Sequence, residues 1–395
     1  MSLSVYVHIP YCLQRCRYCD FATFEWREIL PPDQYVNQVL QEIDNRRHIW
    51  PHDRIATLYF GGGTPSLIAP ELIVAICDRL AKAGLKLLED AEVTIEINPA
   101  TLTQEKLDVY RRAGINRFSV GAQSFNDSLL EMCGRKHSAA DTRETLRMLK
   151  GLNYSFDLLF ALPGQTTQDL QRDLDEVASF APPHLSAYCL TVPEGHPMST
   201  GRPPEDEQVD MFALIETSLQ STGLHKYEIS NFARPGFESR HNMAYWNDTS
   251  YWGIGLSSHS YDPNLGPFGT RFWNPKGLKE YAEQSTLSGQ VITKILPAHQ
   301  WEQLEEHEAL TDFCHMHLRT SGGLPLAKLQ DKFPQEAART NVQRQIQRLA
   351  SRNLLETTNL GWRLTPSGQL ISNVVFEHLT FAKGDLKPLV AAMHN

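Results

Sequence analysis

Over the first 190 residues, short apolar runs alternate with amphipathic stretches. The runs at residues 5–9, 56–60, 93–97, 118–120, 156–160 and 185–190 are rich in Val, Ile, Leu and Phe, as parallel strands buried on both faces are. Between them, residues 33–47, 71–83, 103–113, 141–149 and 167–179 carry helical spacing, several behind Asp, Ser or Thr capping residues, as in 101–104. Six βα units in series predict a parallel sheet with right-handed crossovers. Six is short of the eight that close a full barrel. The expected fold is therefore α/β, with a partial (β/α)6 barrel over residues 1–200.

The pattern then changes. A helix is expected at 205–221, followed by an aromatic stretch with many Gly and Pro over 227–273, so residues 201–300 are read as an intermediate region. Helical spacing returns near 302–318, 326–333 and 339–352. Two short runs, 354–357 and 362–365, suggest a hairpin turning at 359–361, and a further helix is expected near 368–378. Helices followed by a small β-wing predict a winged-helix-like C-terminal domain over 301–395.

Composition adds little to this and excludes little: 41% hydrophobic and 21% charged residues describe an ordinary globular chain of 395 residues. Without a long apolar run or a basic leader ahead of the first strand, neither a membrane span nor an export signal is expected. Seven cysteines in such a chain belong in a reducing compartment, and a cytoplasmic location follows. The net charge of −9 argues against nucleic acid as the main partner, but it is uneven. From Arg319 onward there are ten Lys/Arg against five Asp/Glu, which leaves −14 on the preceding residues. Arg339, Arg344 and Arg348 on one predicted helix could meet phosphates, yet their spacing makes no clean face.

The chemistry concentrates at strand ends. Cys12, Cys16 and Cys19, spaced C-x3-C-x2-C, follow the first strand. Gly61–Gly63 follow the second, Asn98–Pro99 the third and Gln123–Ser124 the fourth, while Asp157 lies in the fifth. The C-terminal ends of strands are where barrel enzymes build their sites. A 4Fe–4S cluster takes one thiolate per iron, so three local cysteines leave one iron open to a chelating substrate. If that ligand is S-adenosylmethionine (SAM), the reduced cluster can split its sulfonium bond and release a 5′-deoxyadenosyl radical. Zinc is the alternative. It would need a fourth ligand, and Cys77, Cys133, Cys189 and Cys314 lack the paired spacing of zinc knuckles.

Together with Gly61-Gly62-Gly63-Thr64-Pro65-Ser66, Glu96-Ile97-Asn98-Pro99, Ser119 to Ser124 and Asp157 to Gly164, the cysteine segment resembles the radical-SAM proteins of the coproporphyrinogen-oxidase and HemW group. The resemblance runs over nearly the whole chain. It implies a 4Fe–4S cluster on Cys12, Cys16 and Cys19. It also implies SAM contacts from Tyr6, Tyr18, Gly62, Gly63, Thr64, Glu96, Gln123 and Asp157, with Arg135 pairing the SAM carboxylate.

Within that group the oxygen-independent coproporphyrinogen III oxidases carry a further cysteine where Phe21 stands here, and an extension before the first strand. The HemW branch shares Cys19-Asp20-Phe21 and a later motif matched by Arg240-His241-Asn242-Met243-Ala244-Tyr245-Trp246. HemW-like proteins bind haem and are regarded as chaperones that deliver it to haem proteins. The resemblance thus implies haem, with His241 as its ligand and Tyr245 and Trp246 as a stacking surface. His259 is a second choice. It further implies haem-accepting partners, an electron donor such as flavodoxin or ferredoxin, and a homodimer. Radical decarboxylation of coproporphyrinogen III is the alternative activity.

Overall fold

The computed structural model describes residues 2–384, so the last residues of the predicted C-terminal domain, 385–395, lie outside the described residues. Six parallel strands stand where the apolar runs predict them. They are β1 (Leu3–Ile9), β2 (Arg54–Gly62), β3 (Lys86–Ile97), β4 (Arg117–Gln123), β5 (Asn153–Phe160) and β6 (His184–Cys189). Val5, Leu58, Val93, Phe118, Phe156 and Leu185 are each almost fully buried, as expected for a sheet covered on its faces. The crossovers are α1 (Pro32–Arg46), α2 (Pro70–Lys82), α3 (Gln104–Arg112), a helix pair α4 (Asp127–Met132) and α5 (Ala139–Met148), and α6 (Thr167–Phe180). Thr103 Oγ1 accepts from Lys106 N at 3.3 Å to start α3. Ser138 with Asp141, and Thr166 with Asp169, form reciprocal capping boxes at α5 and α6.

The sheet is larger than six strands. Residues 201–300 lend strands to both of its ends: after α7 (Glu205–Ser221) come β7 (His225–Glu228) and β8 (Asn231–Ala233), then α8 (Arg240–Trp246), β9 (Tyr251–Ile254), β10 (His259–Asp262) and β11 (Thr270–Trp273), with β12 (Trp301–Gln303) beyond. The spatial order is β12-β11-β10-β9-β1-β2-β3-β4-β5-β6-β8-β7, twelve strands in all. β9 runs parallel to β1, with Val5 opposite Trp252, so seven strands are parallel. The added edge strands are antiparallel. Gly253 allows this packing, since a Cβ there would stand 2.2 Å from the His259 carbonyl oxygen across the β9–β10 pair.

The helix expected from residue 302 begins instead at α9 (Glu306–Arg319), because Trp301 pairs with Phe272 as a strand. It is followed by β13 (Leu324–Pro325), α10 (Leu326–Lys332), α11 (Glu336–Ser351), β14 (Leu355–Thr357) and β15 (Gly361–Leu364). The three strands make a small sheet in the order β13-β15-β14. This is the wing anticipated from the hairpin signal. The last expected helix is broken at Ile371, whose ψ of 36° ends one short helix and starts another. The C-terminal unit has its own apolar core around Leu310, Phe313, Phe333 and Leu349, which reaches the large sheet through Tyr261 of β10.

Candidate metal and cofactor centre

β1 delivers the cysteine segment to the C-terminal edge of the sheet, and backbone bonds fix its root. Gly63 N donates to Ile9 O at 2.8 Å and Thr64 N to Tyr11 O at 2.7 Å, tying the segment to the end of β2. Tyr11–Cys12 pairs with Phe24–Glu25, and Trp26 N donates to Cys12 O at 2.9 Å, so the loop closes on itself around the three thiols. Cys19 N reaches Cys16 O at 3.1 Å in a tight turn. Each sulfur has a polar neighbour: Thr64 Oγ1 lies 3.9 Å from Cys12 Sγ, Thr23 Oγ1 lies 3.8 Å from Cys19 Sγ, and Arg135 Nη1 donates to Cys16 Sγ at 3.4 Å.

All three thiols are free and line one cavity. Among the described residues no three His, Cys, Asp or Glu side chains gather closely enough for a single metal ion. A four-iron cube takes one thiolate at each iron, so its ligands stand further apart than those of one ion. The donor set, three sulfurs with hydrogen-bond donors beside them, fits such a cube. Burial pushes the Cys12 thiol up to about 11, so metal must displace a proton there.

The cavity beside the cysteines has a volume of about 470 Å³ and receives side chains from the ends of five strands. Of the residues singled out in the sequence, Cys12, Cys16, Tyr18, Cys19, Gly62, Gly63, Thr64, Glu96, Gln123, Arg135 and Asp157 all border it. Glu96 accepts from Tyr59 Oη at 2.9 Å and from Gly62 N at 3.0 Å. Burial nevertheless raises its pKa to about 7, with nearby Asp157 adding to the rise against these two donors. Asp157 is raised too, by burial, against hydrogen bonds from Ser119 Oγ at 3.0 Å and Ser155 Oγ at 3.1 Å. Two half-buried carboxyls facing one cavity favour a cationic guest, and the sulfonium and amine of SAM are cations. Arg135 borders the same cavity and is held by bonds to the Gly121 carbonyl and Cys16 Sγ, and a guanidinium is a group that can pair with a carboxylate.

The glycines have a reason inside the protein as well as at the ligand. Gly62 has φ +111°, and a Cβ there would stand 2.4 Å from the His8 ring. A Cβ at Gly63 would meet Tyr11 O at 2.6 Å. The close approach is first of all between β2 and the root of the cysteine loop.

The family model "Radical SAM superfamily" matches residues 6–177, and "HemN C-terminal domain" matches residues 304–371. The protein named "Heme chaperone HemW" of Bacillus subtilis (strain 168) is 31% identical over 385 residues, 94% of this chain and 98% of its own length. This chain belongs to the HemW family. The protein of the same name from Escherichia coli (strain K12) is 36% identical over 264 residues, covering 65% of this chain and 69% of its own. The solved coproporphyrinogen III oxidase (HemN) of Escherichia coli superposes with a TM-score of 0.79 at 22% identity, over 96% of this chain and 90% of its own, and so shares the fold. As radical-SAM proteins, members of the HemW family carry a 4Fe–4S cluster and SAM. Among the described residues no helix is long and apolar enough to cross a membrane.

Two expected site residues of this HemW family member lie elsewhere. Tyr6 points into a second cavity, and its hydroxyl meets His8 Nδ1 at 3.1 Å. His241 is buried within α8, with both ring nitrogens engaged: Nδ1 with Thr57 Oγ1 at 2.8 Å and Nε2 with Tyr245 Oη at 2.9 Å. Its own N–H donates to Glu92, and burial together with Arg117 lowers its pKa to about 3, so the ring is neutral.

Sequence reasoning missed Arg117. It is 2% exposed, lines the cavity beside the cysteines, and has as its nearest counter-charge Glu92, at 4.0 Å. It stands directly ahead of the apolar run at 118–120, outside the stretch that the pattern marks as strand. An arginine just ahead of a run predicted to be buried on both faces was the available signal.

Proposed function

We propose that this chain binds haem and delivers it to haem proteins, with a 4Fe–4S cluster on Cys12, Cys16 and Cys19 and SAM in the adjoining cavity. The observation that carries the reading is the match, over 94% of the chain, to a protein named for haem chaperoning. Phe21 supports it: at the position of the oxidases' further cysteine stands an apolar ring, 67% exposed. Bound SAM and cluster would supply one-electron cleavage chemistry. The protein's part is to hold SAM, with Arg135 on its carboxylate and Glu96 and Asp157 on its cationic end. Gly62, Gly63, Thr64, Gln123 and Tyr18 shape the remaining wall.

His241 bears on haem from behind Tyr245, because its Nε2 is held by that phenol. A flavodoxin or ferredoxin would reduce the cluster, and a second copy of the chain and a haem-accepting protein are the partners expected in a cytoplasmic setting.

The test is anaerobic. The cluster is reconstituted, ferric haem is titrated against the visible spectrum, and coproporphyrinogen III is assayed with SAM and a reductant. Stoichiometric haem binding without porphyrinogen turnover is the expected result. Turnover to protoporphyrinogen without saturable haem binding would overturn the reading in favour of the oxidase.

A further inference from the structure

The second cavity has a volume of about 650 Å³ and shares Asp20 and Phe21 with the SAM-side cavity. Three tyrosines line it: Tyr6 from β1, Tyr245 from α8 and Tyr251 from β9, with the last two rings 4.6 Å apart and edge-on. Phe21 and Phe24 of the cysteine loop add further aromatic surface. Its charged groups are Arg15 and Lys276 on one side of the balance and Asp20 on the other, all exposed.

His259 also lines this cavity, and its state differs from that of His241. Its ring lies against Trp273 at 5.7 Å, nearly parallel, and neither nitrogen makes a hydrogen bond among the described residues. The strand pairing that carries it is fixed, because His259 stands opposite Trp273 in the β10–β11 register. Burial, then Lys276 and Arg271, lowers its pKa, which keeps a lone pair available near neutral pH. Lys276 makes no hydrogen bond or ion pair among the described residues. An aromatic-walled cavity of ordinary small-molecule size, with a free imidazole and an excess of cations, matches a flat metallated ring that bears carboxylates.

We propose that this second cavity is the haem seat: His259 ligates the iron directly, Tyr6, Tyr245 and Tyr251 pack on the porphyrin, and Arg15 and Lys276 meet its carboxylates. The assignment rests on the haem-binding reading above and adds where haem sits and which residue holds it. It gives His241 a positioning part, through Tyr245, in the geometry seen here. It also places the cargo against the far side of the loop that carries the cysteines, since Asp20 and Phe21 border both spaces.

The test uses the full chain with its cluster reconstituted, titrated anaerobically with ferric haem. His259→Ala is expected to weaken binding tenfold or more and to move the Soret band, and added imidazole is expected to return the band to its wild-type position. Lys276→Glu is expected to weaken binding severalfold with the band unmoved. His259 is exposed, so the variant is expected to fold, and circular dichroism verifies this. Unchanged affinity and an unchanged band in His259→Ala, with wild-type binding intact, would overturn the seat and leave the proposed function standing. Absence of saturable binding in the wild type would overturn the proposed function and the seat with it.

Discussion

The Tyr59 hydroxyl donates to Glu96 Oε1 across 2.9 Å while Gly62 N holds the other oxygen at 3.0 Å, so a half-buried carboxyl is kept in place by the end of β2 before any ligand arrives. Even with both donors its pKa rises from 4.5 to about 7. A carboxyl whose folded pKa is raised contributes its stability at low pH and loses it as pH climbs through the folded value. The metal-free chain is therefore expected to lose up to about 3 kcal/mol from this group between pH 4.5 and 8. Thermal unfolding across that range reads the loss, and Glu96→Gln is expected to flatten the slope. A slope unchanged by Glu96→Gln would remove the assignment.

Arg135 offers a second prediction. Its guanidinium already spends donors on Gly121 O and Cys16 Sγ, and a planar fork is what lets it also pair with a carboxylate. Arg135→Lys is expected to weaken SAM binding to the reconstituted protein about tenfold, for a loss of about 1.4 kcal/mol. Equilibrium dialysis with SAM checks it, and an equal loss for S-adenosylhomocysteine would place the contact on the shared carboxylate.

Iron content separates the cysteines. Cys16→Ala is expected to leave less than half the iron and sulfide of the reconstituted wild type, with the broad visible absorbance reduced in step. Cys77→Ala and Cys314→Ala, which remove thiols far from the loop, are expected to retain full iron. Equal loss in all three variants would mean that the thiols bind iron without selectivity.

Gly62→Ala places a Cβ at φ +111° against the His8 ring. A cost of roughly 1–3 kcal/mol from the backbone alone is expected, with the ring contact adding to it. Chemical denaturation of the metal-free chain measures this independently of any ligand. A variant as stable as wild type would show that His8 moves freely.

The parallel strands and the cysteine loop were legible because each is a local signal: an apolar run of the right length, or three thiols within eight residues. The edges of the sheet were not. β9 is four residues long and contains Gly253, and its place beside β1 depends on a pairing that no local pattern encodes. The residues that border the cavity beside the cysteines were legible as a set because most of them follow one another at strand ends. The engaged state of His241 was hidden, since Thr57 and Tyr245 reach it from a distant strand and from the next turn of its own helix. The openness of His259 was hidden for the same reason.

The pairing of Val5 with Trp252 also sets an order in time. β1 is an inner strand of the finished sheet, and one of its flanks stays bare until residue 254 has left the ribosome. Contacts so distant in sequence form late, because a long loop must close first. Until then the nascent chain displays Cys12, Cys16 and Cys19 in the loop behind a strand whose second neighbour does not yet exist. The wall formed by Tyr245, Tyr251 and His259 is added to a cysteine loop that is already there.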